Sequence, residues 1–179
     1  MDHADHVYLI QNAIPTPGGV WADLGSGQGA FTLALADLLG PGSEIYSVDR
    51  DAGALRSQRR AMEARFPAVS VHYLVADFTA PLDLPPLDGL VMANSLHFVR
   101  DKAPTVRRLG ALLRPGGRWV LVEYNADRGN PWVPYPLSFD TWRGLAERCG
   151  LADTRLLATV PSRFLREIYA AGSVRPAGV

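Results

Sequence analysis

Three glycines at alternate positions, Gly25, Gly27 and Gly29, stand in "DLGSGQGAF", between an apolar run and a helical pattern. A backbone stripped of side chains at that corner can turn tightly and approach a ligand closely. The helix behind it offers free N–H groups and a positive dipole to an anion, carboxylate and phosphate alike. Asp49 closes the next apolar run, and a carboxylate about 20 residues beyond such glycines is spaced to hold ribose hydroxyls. Asp77 and Phe78 close the third run; the acid can accept from an exocyclic adenine amine while the ring covers the base. His97 follows the fourth run, and histidine is the side chain best suited to take a proton near neutral pH.

The elements that must position these groups can be read from the spacing of apolar residues. "GVWADL", "SEIYSVD", "VSVHYLV", "LDGLVMAN" and "RWVLVEY" are five near-continuous apolar strands,. Helices are expected between them: 30–39, ending at Gly40-Pro41; 51–66, stopped before Pro67; and 101–113, with Pro104 in its first turn. A short amphipathic helix with Val7, Ile10 and Ile14 on one face precedes the first strand. A further helix, Ser138 to Cys149, turns Phe139, Trp142, Ala146 and Cys149 inward. "ADTRLLATV" and "RFLREIYA" read as a closing antiparallel hairpin, although the second also fits a turn of helix. Parallel strands with helical crossovers form a sheet covered on both faces, with its ligand outside the carboxyl ends of the strands.

Composition narrows the partners. At 179 residues, with 47% apolar and 20% charged side chains, the chain fits one globular domain, residues 1–179,. Eighteen basic residues balance eighteen acidic ones, so no net field draws the protein to nucleic acid or to an anionic membrane. The arginines at 56, 59 and 60 and at 107 and 108 read as solvated helix faces. A single cysteine, Cys149, excludes an intrachain disulfide and reads as a buried structural thiol. His72, in the middle of a strand, reads as structural too. The start lacks the pattern of a signal peptide and no run is long enough to span a bilayer. The expectation is a cytoplasmic protein, monomer or homodimer, without nucleic-acid or membrane partners.

"GSGQGA" also matches the relaxed fingerprint of nicotinamide dinucleotide sites, so the glycines alone leave two cofactors open. The G-x-G-x-G spacing behind the acidic Asp23, the Asp77-Phe78 pair and the proline-glycine turn before the fifth strand decide between them. On these features the sequence resembles the class I S-adenosylmethionine-dependent methyltransferases. "VWADLGSGQGAFT", "IYSVDRD", "LVADF", "LDGLVMANSLHFV" and "LRPGGRWVLVEY" are similar to the family's five motifs, in order. The resemblance implies a Rossmann-like three-layer α/β sandwich, with a mostly parallel seven-stranded sheet and an antiparallel C-terminal strand. It implies S-adenosyl-L-methionine as cofactor, with Asp23 and the Gly25–Gly29 loop, including Ser26, at the methionine moiety. Asp49 would take the ribose, Asp77 and Phe78 the adenine, and the Asn94 backbone the amino-acid end. Arg50 departs from the family, which places an apolar residue there against the adenine; a guanidinium can stack in its stead.

Methyl transfer from a sulfonium requires positioning above all, with alignment worth roughly 7–11 kcal/mol in favourable cases. A base is required only where the acceptor must lose a proton, and His97 is placed for that role. Trp132 and Tyr135, in "NPWVPYP", and Tyr124 before them are expected to wall an acceptor pocket. Tyr8, with His3 and His6, belongs to a segment, 1–15, that would close over the cofactor as a lid. "NSLHF" lacks the Asn/Asp-Pro-Pro-aromatic signature of amine-directed methyltransferases, and no acidic cluster suggests a metal. A small-molecule acceptor is the leading expectation. The rivals are a non-catalytic S-adenosylmethionine-binding module and an NAD(P)-binding oxidoreductase, the latter disfavoured by the lack of a substrate domain and of a Tyr-x-x-x-Lys pair.

Overall fold

The computed structural model describes residues 1–162 and 164–178. Its helices are α1 (His3–Ile10), α2 (Ala30–Leu39), α3 (Ala52–Arg65), α4 (Lys102–Gly110) and α5 (Phe139–Arg148). Its strands are β1 (Val20–Leu24), β2 (Glu44–Asp49), β3 (Ser70–Val75), β4 (Leu87–Ala93), β5 (Leu113–Tyr124), β6 (Ala152–Pro161) and β7 (Glu167–Val174). They form one sheet in the order β3-β2-β1-β4-β5-β7-β6. The first five strands are parallel, and β7 runs antiparallel between β5 and β6. This is the three-layer, mostly parallel architecture expected from the sequence.

Alternation along the strands sorts the core into two layers. Trp119 and Leu121 of β5 face α4 and α5, where Val106, Leu109 and Trp142 meet them. Val120 and Val122 face the other way, toward Leu9 and Ile10 of α1, Phe31 and Leu35 of α2, and Met62 of α3. Apolar surface of this extent, at about 25 cal/mol per Å² removed from water, makes the sheet a rigid platform for its loops.

Several boundaries differ from the sequence reading, those of α1 and β5 for a clear local reason, and the closing hairpin stands as expected. α1 begins at His3, because Asp2 and Asp5 form a reciprocal capping box, and a 3₁₀ turn at Gln11–Ala13 ends it,. β5 starts at Leu113, ahead of "RPGG", because Leu87 pairs with Leu113 before the register shifts,. The segment that also fitted a helix is strand β7, its residues 168–174 paired with β5 from Tyr124 back to Arg118.

Candidate functional site

Strand order reverses between β1 and β4, since β2 and β3 lie to one side and β5 to the other. A cleft of about 380 Å³ opens at that point, over the carboxyl ends of the strands,. Gly25 and Gly27 line it from β1, Asp49 and Arg50 from β2, and Asp77, Phe78 and Thr79 from β3. Asn94, Ser95, Phe98 and Val99 complete it from β4. Its volume falls in the range of small-molecule sites.

The glycines serve different purposes. All three are left-handed, with φ of +77° at Gly25, +53° at Gly27 and +88° at Gly29. A Cβ at Gly25 would stand 2.5 Å from Ser95 Cβ and 3.2 Å from the Phe78 ring, so the loop packs flat against the turns after β3 and β4. A Cβ at Gly29 would stand 2.6 Å from the Gln58 amide nitrogen. At Gly27 nothing lies within 4 Å, so there the missing side chain leaves cleft open.

Beneath the loop runs a buried chain of hydrogen bonds. Ser47 Oγ lies 2.7 Å from Ser26 Oγ and 2.6 Å from Gln58 Oε1. Gln58 Nε2 donates to Thr32 Oγ1 at 3.1 Å, and Thr32 donates to Asp23 Oδ2 at 2.7 Å. Satisfying every member requires donation in one direction, from Ser26 through Ser47, Gln58 and Thr32 to the carboxylate. Burial pushes Asp23 up to about 7 against the opposing Thr32 bond, and the charge of Asp49 adds to the rise,. Asp23, expected in the cleft, is 1% exposed and stands under the loop, because the strand ending at Leu24 turns its side chain toward α2. Ser26 and Gly29 likewise support the cleft from below.

Asp49 receives the Gly27 N–H on Oδ2 at 2.7 Å and the Asp51 N–H on Oδ1 at 2.8 Å, which ties the glycine loop to the end of β2. Asp77 Oδ1 takes the Thr79 N–H and hydroxyl at 2.8 and 2.7 Å, and those bonds hold its carboxyl below the usual range. Arg108, read from sequence as a solvated helix residue, reaches back from α4 to the carbonyls of Phe78 and Thr79 and fixes that turn. Asn94 is left-handed at φ +51°, its N–H bonded to Val122 O at 2.9 Å. Its Oδ1 is buried without a hydrogen-bond partner, in a residue that lines the cleft,.

His97 is buried in a 3₁₀ turn after β4. Its Nδ1 lies 2.9 Å from Oε2 of Glu123, and its backbone N–H donates to Oε1 at 3.0 Å. Glu123, fully buried near the end of β5, was missed in the sequence; an acid closing an apolar strand, as Asp49 does, was the available signal. The pair fixes Nδ1 as the donor, which leaves Nε2 as the basic nitrogen. The Tyr124 ring stands 5.9 Å from the imidazole, and the Tyr135 N–H donates to His97 O at 3.0 Å. Lys102 Nζ donates to Val99 O, and burial holds its ammonium below the ordinary lysine value despite the charge of Glu123.

Five further expected contributors are not among the cleft's lining residues: His97, Tyr124 and Tyr135, which cluster behind the turn after β4, and Tyr8 and Trp132. Tyr8 is 49% exposed on α1, which packs on α2 and β6 and contributes nothing to the cleft lining; the His6 ring meets Phe31 at a tilt of 60° and His3 meets Asp37. The apolar face read at 7–14 is what holds the segment there. Trp132 is 78% exposed, off the cleft. Cys149 is half-buried with Sγ toward Ala103 O, and burial raises its thiol.

A doubly wound sheet with a glycine corner after β1 and acids after β2 and β3 defines a nucleoside-cofactor domain. The family model "Methyltransferase domain" matches residues 22–119. The chain therefore belongs to the methyltransferase-domain family, the class I S-adenosylmethionine-dependent group. It is 30% identical over 104 residues to a ubiquinone/menaquinone biosynthesis C-methyltransferase of Pasteurella multocida, covering 58% of this chain and 39% of that one. The chain spans about half or less of the length of the curated relatives it matches. Among solved structures, the YcgJ protein of Bacillus subtilis superposes with a TM-score of 0.75 at 14% identity, covering 98% of this chain and 100% of that one. A Burkholderia thailandensis 1,6-didemethyltoxoflavin-N1-methyltransferase, with 1,6-didemethyltoxoflavin and S-adenosylhomocysteine bound, superposes with a TM-score of 0.75 at 16% identity, covering 97% and 78%. These likenesses fix the fold.

Proposed function

We propose that this chain binds S-adenosylmethionine in the cleft at the β1/β4 switch and methylates a small-molecule acceptor. The observation that carries the reading is the cleft's set of unmet groups. Gly27 opens onto empty space, Asp49 keeps further lone pairs for hydroxyls, and the buried Asn94 Oδ1 lacks a donor. A ribose diol and an ammonium group supply those needs. In this reading Asp77 Oδ2 and Phe78 meet the adenine, and Arg50 lies across its edge. Asp23, Ser26 and Gly29 set the loop's shape from beneath.

When bound, the cofactor supplies a sulfonium methyl carbon open to in-line displacement. The protein's part is to exclude water, align the acceptor and accept its proton. His97 Nε2 does the last, with Glu123 holding the ring and offsetting the charge it gains. The names of the quinone methyltransferases among the relatives support a flat quinone-type ring as acceptor, which Tyr124 and Tyr135 would face. No helix of the described residues is long and apolar enough to cross a membrane. The reading places the enzyme in the cytoplasm, as monomer or homodimer, without nucleic acid.

Isothermal titration with S-adenosylmethionine, S-adenosylhomocysteine and NADPH tests the assignment. Binding of the first two and not the third is expected. Binding of the nicotinamide cofactor alone would overturn it.

A further inference from the structure

Asp23 is sealed from water and has no basic partner. It is buried, and among the described residues no arginine, lysine or histidine forms an ion pair with it. In register it stands between Ser47 of β2 and Val91 of β4, both uncharged. Thr32 of α2 donates its hydroxyl to Oδ2, and Gln58 of α3 stands behind Thr32. The charged group whose field reaches Asp23 is Asp49, and that field is negative. Burial first, and Asp49 after it, raise the carboxyl to about 7 against the Thr32 bonds. Near neutral pH its two forms are therefore close in free energy, and a positive charge nearby decides between them. The group is also coupled to the cleft. It lies two residues before Gly25, which lines the cleft, and it ends the buried chain that starts on Ser26 in the glycine loop.

We infer that Asp23 tells S-adenosylmethionine from S-adenosylhomocysteine from beneath the loop, giving up its proton to solvent when the cationic form binds and regaining one from solvent once the methyl has left. The inference rests on the proposed function, which puts the cofactor over this loop. Both forms carry the same adenine, ribose and zwitterionic amino-acid end, so Asp49, Asp77 and Asn94 meet the same groups in each. They differ by the sulfonium charge alone. A unit charge at about 10 Å in protein moves the ionisation of a carboxyl by about one pH unit. Water and salt screen such a field in the open cleft, and they do not reach Asp23,. The ionised carboxyl attracts the sulfonium and does nothing for the thioether, so the spent cofactor is held less tightly than the fresh one.

Calorimetric titration of the full chain with each form at about pH 6.5, in two buffers of different ionisation enthalpy, counts the protons exchanged. S-adenosylmethionine should release about half a proton more than S-adenosylhomocysteine. Asp23→Asn, which cannot ionise, should bind both forms and lose that difference; a share owed to His97 or to the ligand itself would survive in it. The wild type's preference for the sulfonium form should rise about fivefold between about pH 5.5 and about pH 8, and the variant's should not follow it. Infrared difference spectra need no variant: the carbonyl band of a protonated carboxyl should bleach with S-adenosylmethionine and remain with S-adenosylhomocysteine. Equal proton release with the two forms, or a difference that Asp23→Asn keeps, overturns the inference and leaves the proposed function standing. Failure of both forms to bind overturns the two together.

Discussion

Gly29→Ala and Gly27→Ala differ by one position pair in the same loop, yet the structure separates their effects. Both replace a left-handed glycine, which costs an alanine about 1–2 kcal/mol. At Gly29 the new Cβ would also stand 2.6 Å from the Gln58 amide nitrogen and 2.7 Å from its carbonyl carbon. Gln58 is fully buried and holds both Ser47 and Thr32. Swinging it aside leaves buried polar groups unpaired, at about 1–3 kcal/mol each. The sum for Gly29→Ala is about 4 kcal/mol, which in a domain of this size lowers the melting temperature by about 10 °C. Gly27→Ala meets no atom within 4 Å, so it should cost only the backbone strain and a few degrees. Its Cβ enters the cleft, so it should blunt the rise in melting temperature that S-adenosylmethionine produces. Circular dichroism melts of both variants, with and without cofactor, decide the matter. Adding Gln58→Ala to Gly29→Ala should show a coupling energy well above additivity error, because the clash has gone. Equal destabilisation by the two alanines, or a full cofactor response in Gly27→Ala, would refute the reasoning.

Asp49→Ala removes the acceptor of the Gly27 N–H and of the proposed ribose contact, so cofactor binding should weaken by roughly 1.5–3 kcal/mol in a titration; unchanged affinity in a folded variant would misplace the ribose. Burial raises Asp23 from 3.8 to about 7, so its carboxyl takes up a proton below that value,. The fold binds more protons than the unfolded chain between those values, so stability falls as pH rises through that window, by up to about 4 kcal/mol. Asp23→Asn cannot ionise and should gain on wild type in melting temperature from pH 5 to pH 8; parallel curves would contradict the burial argument. Glu123→Gln keeps an oxygen for the His97 N–H groups and loses the charge, so cofactor affinity should hold while turnover of an acceptor hydroxyl falls by about 10²-fold or more; an equal drop in both would make the pair structural. Arg108→Met frees the Phe78–Thr79 turn and should weaken cofactor binding about tenfold with little loss of stability.

The strands and the glycine corner were legible because parallel strands buried on both faces are continuous apolar runs, and glycines punctuate them. The order of acids after β2 and β3 was legible for the same reason. Residues whose role depends on what lies above or below them were not. Asp23 stands two residues from Gly25, yet a strand's alternation alone does not say whether its last acid faces the cleft or the helix behind. Gln58 sits among Arg56, Arg59 and Arg60 and looks solvated; only its place with Leu55 and Met62, at helical spacing, puts it on the buried stripe. His97 was found by its position after β4. Its partner Glu123 comes from a strand 26 residues away, a distance no local pattern spans. The lid expectation failed because an amphipathic face shows that a helix packs somewhere, not where.

The position of β7 bears on how the chain is made. It is the last of the seven strands to leave the ribosome, yet it lies inside the sheet, hydrogen-bonded to β5 on one side and β6 on the other. Until it arrives, β5 is an open edge carrying Trp119, Val120, Leu121 and Val122, all of them buried in the finished protein. Such an edge is a template for pairing with another chain. β6 and β7 are joined by a short turn and can zip together first, then dock as a unit. Synthesis thus leaves the cleft half assembled, with β1 to β4 in register, while the strand that carries Glu123 still waits for its neighbour.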